Sequence, residues 1–117
     1  MTGGVILEIW KDIEGFEGKY QISTWGRVRN VVTGDHIKPY KNEKGYLKVS
    51  LHKDGVGHKK RVNRLVALAF IDNPYGLPMV NHKDGNKENN SISNLEWTTD
   101  EYNRIHARKL REGIYKC

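Results

Sequence analysis

Hydrophobic and polar residues alternate along the segment GYLKVSLHKDG, with the period of two that is typical of a β-strand. Leu47, Val49 and Leu51 fall on one face of this predicted strand, and the charged, polar or aromatic residues between them fall on the other. Asp54 and Gly55 predict a turn, and the following HKKRV predicts the return strand. The segment therefore predicts a β-hairpin with one apolar face and one polar face.

Two other segments in the first half of the chain predict extended structure. In GKYQISTWGRVRN, residues 20–23 and 27–30 alternate on either side of a turn at Trp25 and Gly26. TGDHIKPY adds a turn and a short edge strand, because Pro39 lacks the N–H group that a central strand needs. This half of the chain is therefore predicted to form a small antiparallel β-sheet.

Two segments have helical periodicity. The apolar residues of RVNRLVALAF recur at the spacing of one helix face, which predicts a core helix over residues 63–70 with Asn63 as its N-cap. In TTDEYNRIHARKLREG, Thr98 and Glu101 predict a capping box, and the basic residues before Gly113 predict the C-terminal end of a second helix. We interpret the first helix as purely structural.

A long polar loop separates two short extended segments in the last third of the chain. Residues 78–82 and 95–99 are the predicted strands. The twelve residues from Lys83 to Asn94 form the loop, because Asn, Asp and Gly are typical of turns. With the helix that follows, the predicted order is strand, loop, strand and helix.

One face of the second helix mixes apolar and polar residues. Asn103, His106, Ala107 and Leu110 share this face, at spacings of three and four residues. We expect the face to pack on the preceding hairpin, because Ala107 and Leu110 are apolar. The carboxamide of Asn103 then needs a partner, since an unpaired buried amide costs about 1–3 kcal/mol. That partner is either a backbone group or a metal ion, for which a side-chain carbonyl is a suitable ligand.

The net charge of +6 is concentrated in one segment. Residues 1–18 carry one Lys and four acids, residues 19–64 carry twelve Lys and Arg and three acids, and residues 65–117 carry seven of each. This concentration suits a polyanionic partner, because each neutralised phosphate releases counterions, although a solvated basic surface would have the same charge. The Lys, Arg, Tyr and Ser residues on the polar face of the predicted sheet favour nucleic acid, since these residue types contact phosphates and base edges.

The composition excludes several classes of protein. Cys117 is the only cysteine, which excludes an intramolecular disulfide and a multi-cysteine zinc site and favours a reducing environment. No apolar run approaches the ~20 residues that span a bilayer, and the first residues lack the basic region of a signal peptide. We therefore expect a cytoplasmic protein that does not cross a membrane.

Two stretches resemble the parts of one enzyme family. VNHKDGNKENNSISNLEWTTDEYNRIHA resembles the HNH nuclease motif, a ββα-metal site, in the version found in phage and intron-encoded homing endonucleases. The preceding EIWKDIEGFEGKYQISTWGRVRN, GYLKVSLHKDG and VNRLVALAF resemble the nuclease-associated DNA-binding module of the same proteins. The resemblance covers about residues 8–110 and implies an α+β fold. It divides the chain into a β-rich DNA-binding module (8–60), a core helix with a ββα-metal nuclease motif (61–112) and a tail (113–117).

The resemblance assigns roles to four residues in or near the loop. It implies that His82 is the general base that activates water, a role for which the pKa range of histidine is suited. It implies that Asn81 and Asn103 bind one divalent metal ion, Mg²⁺ or Mn²⁺, and that Asn94 belongs to the catalytic site by bracing the loop. Some relatives have Asp or His where this chain has Asn81. The site then lacks a protein carboxylate, so we expect weak metal binding until DNA supplies a phosphate.

The resemblance also implies the reaction and the partner. The expected activity is homing-type cleavage of double-stranded DNA in a phage or bacterial host, by hydrolysis of a phosphodiester bond with water that His82 activates. A monomer has one active site and is expected to nick, whereas cutting both strands needs a homodimer or two binding events. No small-molecule cofactor is expected. The candidate DNA contacts are basic residues of the N-terminal module: Arg27, Arg29, Lys48, Lys59, Lys60 and Arg61.

Two alternatives stay open at this point. A DNA-binding regulator could keep this fold without cleaving, and Asn81 in place of an acid favours that function. A nuclease that acts mainly on RNA is the second alternative. Larger homing endonucleases carry a C-terminal DNA-binding extension, whereas this sequence ends at Cys117. We therefore expect target recognition that is shorter or that needs a second copy of the chain.

Overall fold

The computed structural model describes residues 7–113, and within this range the chain forms nine β-strands, two α-helices and one 3₁₀ turn. The strands pair antiparallel in three sheets, which confirms the predicted α+β class. Most of the predicted tail, including Cys117, lies outside the described residues. Neither helix in the described range is long and apolar enough to cross a membrane.

A four-stranded sheet contains the first predicted hairpin. It consists of β1 (Trp10–Asp12), β2 (Tyr20–Ser23), β3 (Val28–Asn30) and β4 (His36–Ile37), which lie side by side in chain order. The turn between β2 and β3 includes Gly26, whose φ of +84° lies in the left-handed region that glycine adopts without strain. The predicted short edge strand is β4.

A three-stranded sheet contains the second predicted hairpin. Its strands are β5 (Tyr40–Lys41), β6 (Leu47–Lys53) and β7 (Val56–Arg61), with β6 in the centre. Asp54 and Gly55 form the turn between β6 and β7, and their φ values of 53° and 77° are those that a tight hairpin turn requires. Alternate residues in the middle of β6 are buried, so the predicted apolar and polar faces are confirmed.

Helix α1 (Val62–Phe70) follows β7 without a loop. It begins one residue before the predicted start, and Arg61 occupies the N-cap position without a capping hydrogen bond from its side chain. The prediction of Asn63 as N-cap is therefore wrong, since Asn63 lies buried in the first turn. The physical reason is that pairing with β6 continues to Arg61, so the helix starts where the strand pairing ends.

The predicted order of strand, loop, strand and helix is confirmed in the last third of the chain. Strands β8 (Met79–His82) and β9 (Leu95–Thr98) pair antiparallel, and the loop between them ends in a 3₁₀ turn (Ile92–Asn94). Helix α2 (Asp100–Arg111) follows β9 after a single residue. Because this connection is so short, the pairing of β8 with β9 also determines where α2 begins.

The ends of α2 are set by one side-chain cap and one glycine. The Oγ1 atom of Thr99 accepts a hydrogen bond from the backbone N–H group of Tyr102 at 3.1 Å. The predicted capping box at Thr98 is therefore wrong by one residue, because Thr98 still pairs with β8. At the other end, Gly113 has a φ of 72° and donates its N–H group to the carbonyl oxygen of Leu110 at 3.2 Å, which confirms the predicted C-terminal glycine.

One hydrophobic core runs through both parts of the chain. Val49 and Leu51 of β6 are fully buried together with Val66 of α1, and Val80 of β8 and Leu95 of β9 belong to the same cluster. Burying each such side chain stabilises the fold by about 1.5–3 kcal/mol. Helix α1 contacts the N-terminal strands on one side and β8 and β9 on the other, so it fixes the two parts relative to each other.

Candidate active site

Strand pairing places the predicted base at the end of a closed hairpin. His82 is the last residue of β8 and lies opposite Leu95. The N–H group of Lys83 donates to the carbonyl oxygen of Asn94 at 2.7 Å, which closes the loop directly beyond this pair. The Nε2 atom of His106 donates to the carbonyl oxygen of Lys83 at 2.9 Å. This bond attaches α2 to the same end of β8.

A cleft of about 160 Å³ lies beside this strand end. It is lined by residues of β8, the following loop and α2, and by an aromatic ring from the N-terminal module. Three of the predicted site residues, Asn81, His82 and Asn103, meet in it, whereas Asn94 is not among its lining residues. The polar and aromatic members of the lining are Tyr46, Asn81, His82, Lys87, Asn103 and His106.

The face of α2 that was predicted to pack on the hairpin is narrower than expected. His106 is buried and Leu110 is half-buried, but Ala107 is exposed at the mouth of the cleft. Leu110 packs against the loop at Gly85, where an added Cβ atom would lie 2.7 Å from the leucine Cδ1 atom. The helix therefore contacts the loop as well as the strands, and its alanine leaves the cleft open.

His82 is held by a hydrogen bond that the sequence did not predict. Its side chain is 5% exposed, and its Nε2 atom lies 2.7 Å from the Oδ1 atom of Asn90. An amide oxygen can only accept, so Nε2 carries the proton and Nδ1 is the basic atom. The Nδ2 atom of Asn90 lies 3.5 Å from the carbonyl oxygen of Lys87, in agreement with this orientation of the amide.

The environment of His82 keeps its imidazole neutral. Burial lowers the pKa of His82, and the hydrogen bond to Asn90 and the nearby charge of Asp84 oppose this effect only in part. The pKa therefore lies below the ordinary value for histidine, and the ring can accept a proton at neutral pH. A buried, neutral and oriented imidazole is suited to the role of a general base.

Asn94 and Asp84 hold the loop together from within. The Oδ1 atom of Asn94 accepts from the N–H group of Asp84 at 3.0 Å, and its Nδ2 atom donates to the Asp84 carboxylate at 2.8 Å and to the carbonyl oxygen of Asn89 at 2.9 Å. Burial opposes ionisation of Asp84, but hydrogen bonds from Asn89, Asn86 and Asn94 outweigh it and lower the pKa of this carboxyl. All three hydrogen bonds of the Asn94 side chain therefore lie inside the loop that follows His82.

Asn81 and Asn103 are the two asparagines that line the cleft. Asn81 is 4% exposed, and its Nδ2 atom donates to the Oε2 atom of Glu96 at 2.7 Å, so its oxygen is the atom left for a ligand. Asn103 is half-buried, and its side chain makes no hydrogen bond within residues 7–113. No group of three or more His, Cys, Asp or Glu side chains in that range could hold a metal ion. The donor set fits a hard cation that also takes oxygen from water and substrate, such as Mg²⁺ or Mn²⁺, and does not fit zinc.

The N-terminal module supports the loop that orients His82. Gly26 lies so close to Asn90 that an added Cβ atom would be 2.9 Å from both the Cβ and the carbonyl oxygen of Asn90. Two residues further along, the N–H group of Ile92 donates to the carbonyl oxygen of Thr24 at 2.9 Å. The β2–β3 turn and the loop therefore form a contiguous contact that fixes Asn90, the hydrogen-bond partner of His82.

We expect the Asn90→Asp substitution to raise the pKa of His82. It replaces a neutral acceptor at 2.7 Å from Nε2 by a carboxylate, which stabilises the imidazolium form. Titration of the His82 ring by NMR should then give a midpoint above that of the wild type. The Asn86→Asp substitution adds the same charge four residues away, at an exposed side chain whose oxygen accepts from the N–H group of Glu88, and is the matched control. Equal midpoints for Asn90→Asp and Asn86→Asp would contradict the assigned contact.

Three of the six predicted basic residues share one face of the three-stranded sheet. In the register of β6 and β7, Lys48 lies opposite Arg61 and Ser50 lies opposite Lys59, on the face away from the core. Like charges directly opposite each other destabilise a sheet. An anion bound between Lys48 and Arg61 would offset this repulsion. We call Lys48, Lys59 and Arg61 the basic face.

The other three predicted contacts lie elsewhere. Lys60 alternates to the opposite side of β7, where it lines a separate groove beside α1. Arg27 forms an ion pair with Glu8, and its hydrogen bond lowers the pKa of that carboxyl. Arg29 donates to the Oε1 atom of Gln21 from two nitrogens at 2.7 and 3.0 Å, and lies over the ring of Trp10. The six residues therefore do not form one continuous patch.

Tyr46 links the basic face to the cleft. The guanidinium of Arg61 lies 4.3 Å from the centre of the Tyr46 ring, and the ammonium of Lys87 lies 4.7 Å from it. The ring centre is also 6.1 Å from that of the His82 imidazole. Sequence reasoning missed the roles of Tyr46, Lys87 and Asn90. The contacts of Tyr46 with Lys87 and His82 join residues that are distant along the chain. Asn90 is one of several asparagines in its loop, and the loop conformation alone selects it.

Comparison with known proteins relates these two parts of the chain to described sequence families. Residues 8–52 match the NUMOD4 motif, and residues 74–105 match the HNH endonuclease family. The chain is 43% identical over 94 residues to the DNA endonuclease I-HmuI of Bacillus phage SP01, which covers 80% of this chain and 54% of that protein. It is 44% identical over 96 residues to an uncharacterized HNH endonuclease of Acanthamoeba polyphaga mimivirus, covering 82% of this chain and 29% of the relative.

A solved structure has the same fold. It is described as DNA binding and cleavage by the HNH homing endonuclease I-HmuI, and it matches this chain with a TM-score of 0.78 at 39% identity. The match covers 93% of this chain and 62% of that chain. The chain therefore spans about half the length, or less, of these two curated relatives.

Proposed function

We propose that this chain, which belongs to the HNH endonuclease family and carries the NUMOD4 motif, is a homing-type endonuclease that hydrolyses phosphodiester bonds of double-stranded DNA. The observation that carries the proposal is the buried hydrogen bond between His82 and Asn90, which leaves Nδ1 as the basic atom of a residue that lines the same cleft as Asn81 and Asn103. The name of the similar I-HmuI, a DNA endonuclease, supports the choice of substrate.

In the proposed reaction, the Nδ1 atom of His82 accepts a proton from a water molecule, which attacks the phosphorus atom in line with the leaving 3′ oxygen. The leaving 3′ oxygen takes a proton from solvent, so the products are a 5′ phosphate and a 3′ hydroxyl group. A divalent ion, Mg²⁺ or Mn²⁺, would be held by Asn81 and Asn103 and would supply Lewis-acid stabilisation of the phosphate. Asn94 contributes by bracing the loop, so that the imidazole keeps its position.

We propose that DNA binding and catalysis belong to different parts of the chain, with the boundary at residue 60. The module 8–60 and the adjoining Arg61 bind the DNA backbone through the basic face, and residues 61–112 contain the reacting groups. Tyr46 and Lys87 lie between the two and are placed to hold the phosphate that enters the cleft. Arg27, Arg29 and Lys60 would contact DNA only outside this path, because they lie on other surfaces.

DNA binding without cleavage is a second candidate function. It is favoured by the cleft itself, since none of its lining residues is acidic, so that a metal ion would meet no carboxylate there. Incubation of supercoiled plasmid with the chain separates the two functions. A nicking endonuclease converts the plasmid to open circles with Mg²⁺ or Mn²⁺ and is inactive with EDTA, whereas a regulator only retards the plasmid. Addition of RNA as competitor then tests the preference for DNA.

Neutralising the basic face should lower both the affinity for DNA and the salt dependence of that affinity. For the triple variant Lys48→Gln, Lys59→Gln, Arg61→Gln, we expect the slope of log affinity against log salt concentration to fall by about 0.9 for each phosphate that the variant no longer neutralises. Fluorescence anisotropy with a labelled duplex at several salt concentrations measures this slope. Lys60→Gln alone, on the opposite side of β7, should change it less than any single substitution on the basic face. A larger effect of Lys60→Gln would contradict the proposed DNA path.

A further inference from the structure

We infer that Glu96 is a positioning residue for Asn81, and that it supplies from the neighbouring strand the negative charge that the cleft itself lacks. This inference rests on the proposed function, because it concerns the metal ligand of that site. Asn81 and Glu96 lie directly opposite each other in β8 and β9, so their side chains are on the same face of the hairpin. The distance from Asn81 Nδ2 to Glu96 Oε2 is 2.7 Å, that of a charge-assisted hydrogen bond.

The hydrogen bond determines which atom of Asn81 can act as a ligand. A carboxylate only accepts hydrogen bonds, so the NH₂ group of the amide must face Glu96 and the amide cannot flip. The oxygen is then the remaining polar atom of a side chain that is 4% exposed and that lines the cleft. Glu96 itself is half-buried and is not among the lining residues, so it acts through Asn81.

The charge of Glu96 is available to the amide. No ion pair joins Glu96 to another of the residues 7–113. Donation to an anion shifts electron density in the amide toward its oxygen, which makes the oxygen a better ligand for a hard cation. Partners of this kind orient metal ligands, and their loss costs about 10- to 100-fold in metal affinity. An Asn–Glu pair can therefore serve where a single Asp would otherwise bind the ion.

The test is the affinity for Mn²⁺, measured by electron paramagnetic resonance of the free ion with the chain bound to a DNA duplex. We expect Glu96→Gln to lower this affinity by about 10- to 100-fold, although glutamine still accepts the hydrogen bond and the unfolding temperature stays near that of the wild type. Glu88→Gln removes a charge from an exposed position of the loop and should leave the affinity unchanged. Equal affinities for wild type and Glu96→Gln, or no Mn²⁺ binding by the wild type, would overturn the inference.

A swapped pair gives a second, independent test. In the double variant Asn81→Asp, Glu96→Gln, the charge moves to the ligand and the glutamine donates the hydrogen bond back, so we expect the affinity to recover to the wild-type level or above. Asn81→Asp alone puts two carboxylates opposite each other and should bind Mn²⁺ more weakly than the swapped pair. A swapped pair that binds no better than Glu96→Gln would contradict a role for the charge.

The outcomes separate this inference from the proposed function. If Glu96→Gln binds Mn²⁺ as the wild type does while nicking still requires His82, the role of Glu96 is wrong and the endonuclease assignment stands. If Glu96→Gln binds Mn²⁺ more weakly but the wild type never nicks DNA, the positioning role stands and the chain is a binding protein.

Discussion

The His82→Ala substitution is expected to lower the rate of plasmid nicking by about 10²- to 10⁴-fold, the usual contribution of a general base. The effect follows from the removal of the imidazole whose Nε2 atom is held by Asn90, and hence of the proton acceptor Nδ1. The affinity for DNA should change little, because His82 is not part of the basic face. Rates of open-circle formation with Mg²⁺ or Mn²⁺, and anisotropy with a labelled duplex, measure the two quantities separately.

An exposed histidine provides the control for this substitution. His36 lies in β4, outside the cleft, and His36→Ala should nick at the wild-type rate. Because His82 is buried, His82→Ala also leaves a small cavity, so circular dichroism and the unfolding temperature must show that it is folded. A folded His82→Ala chain that nicks as fast as the wild type would contradict the assignment of His82 as the general base.

The second large effect is expected from Gly26→Ala, a substitution 56 positions from the base along the chain. Its added methyl group would lie 2.9 Å from Asn90, so the loop must shift and carry the partner of His82 with it. A misplacement of about 1 Å in a catalytic arrangement can cost 10²-fold in rate. The expected result is a decrease of about that size in the nicking rate, with a change in the NMR shifts of the His82 ring.

Gly34 offers a matched control for backbone strain. Gly26 and Gly34 have φ values of +84° and +78°, but an added Cβ at Gly34 meets nothing within 4 Å. Both substitutions should lower the free energy of unfolding by about 1–2 kcal/mol through the left-handed backbone alone. Only Gly26→Ala should also slow nicking and alter the His82 resonances. If Gly34→Ala slows nicking equally, the effect is general destabilisation and not the contact with Asn90.

The parts of the fold that sequence predicted correctly are those set by local pattern. The alternation in β6 and the turn at Asp54 and Gly55 are properties of adjacent residues, so they could be read directly. The predicted N-cap was wrong by two residues at Asn63 and by one residue at Thr98, because a helix start depends on where the preceding strand stops pairing. The residues at a helix start do not show which strand pairs with the residues before them, so local sequence cannot place that start to the residue.

The sequence predicted the cleft residues that the resemblance assigns, but not the residues that hold them in place. The resemblance of residues 80–107 to a known motif was enough to select Asn81, His82 and Asn103, which do line one cleft. Asn90 is one of several asparagines in the loop, and nothing in the sequence distinguishes it from Asn86 or Asn89. Its role depends on how the loop folds back onto His82, and that of Glu96 depends on the pairing of β8 with β9.

The shared core has a consequence for truncated forms of the chain. Val80 and Leu95, which support the hairpin that carries the base, are buried in the same cluster as Val49, Leu51 and α1. A gene fragment encoding only the second half would produce a hairpin with its apolar side exposed to water. We therefore expect the second half of the chain, when it is expressed alone, to lose its folded structure and the candidate active site with it.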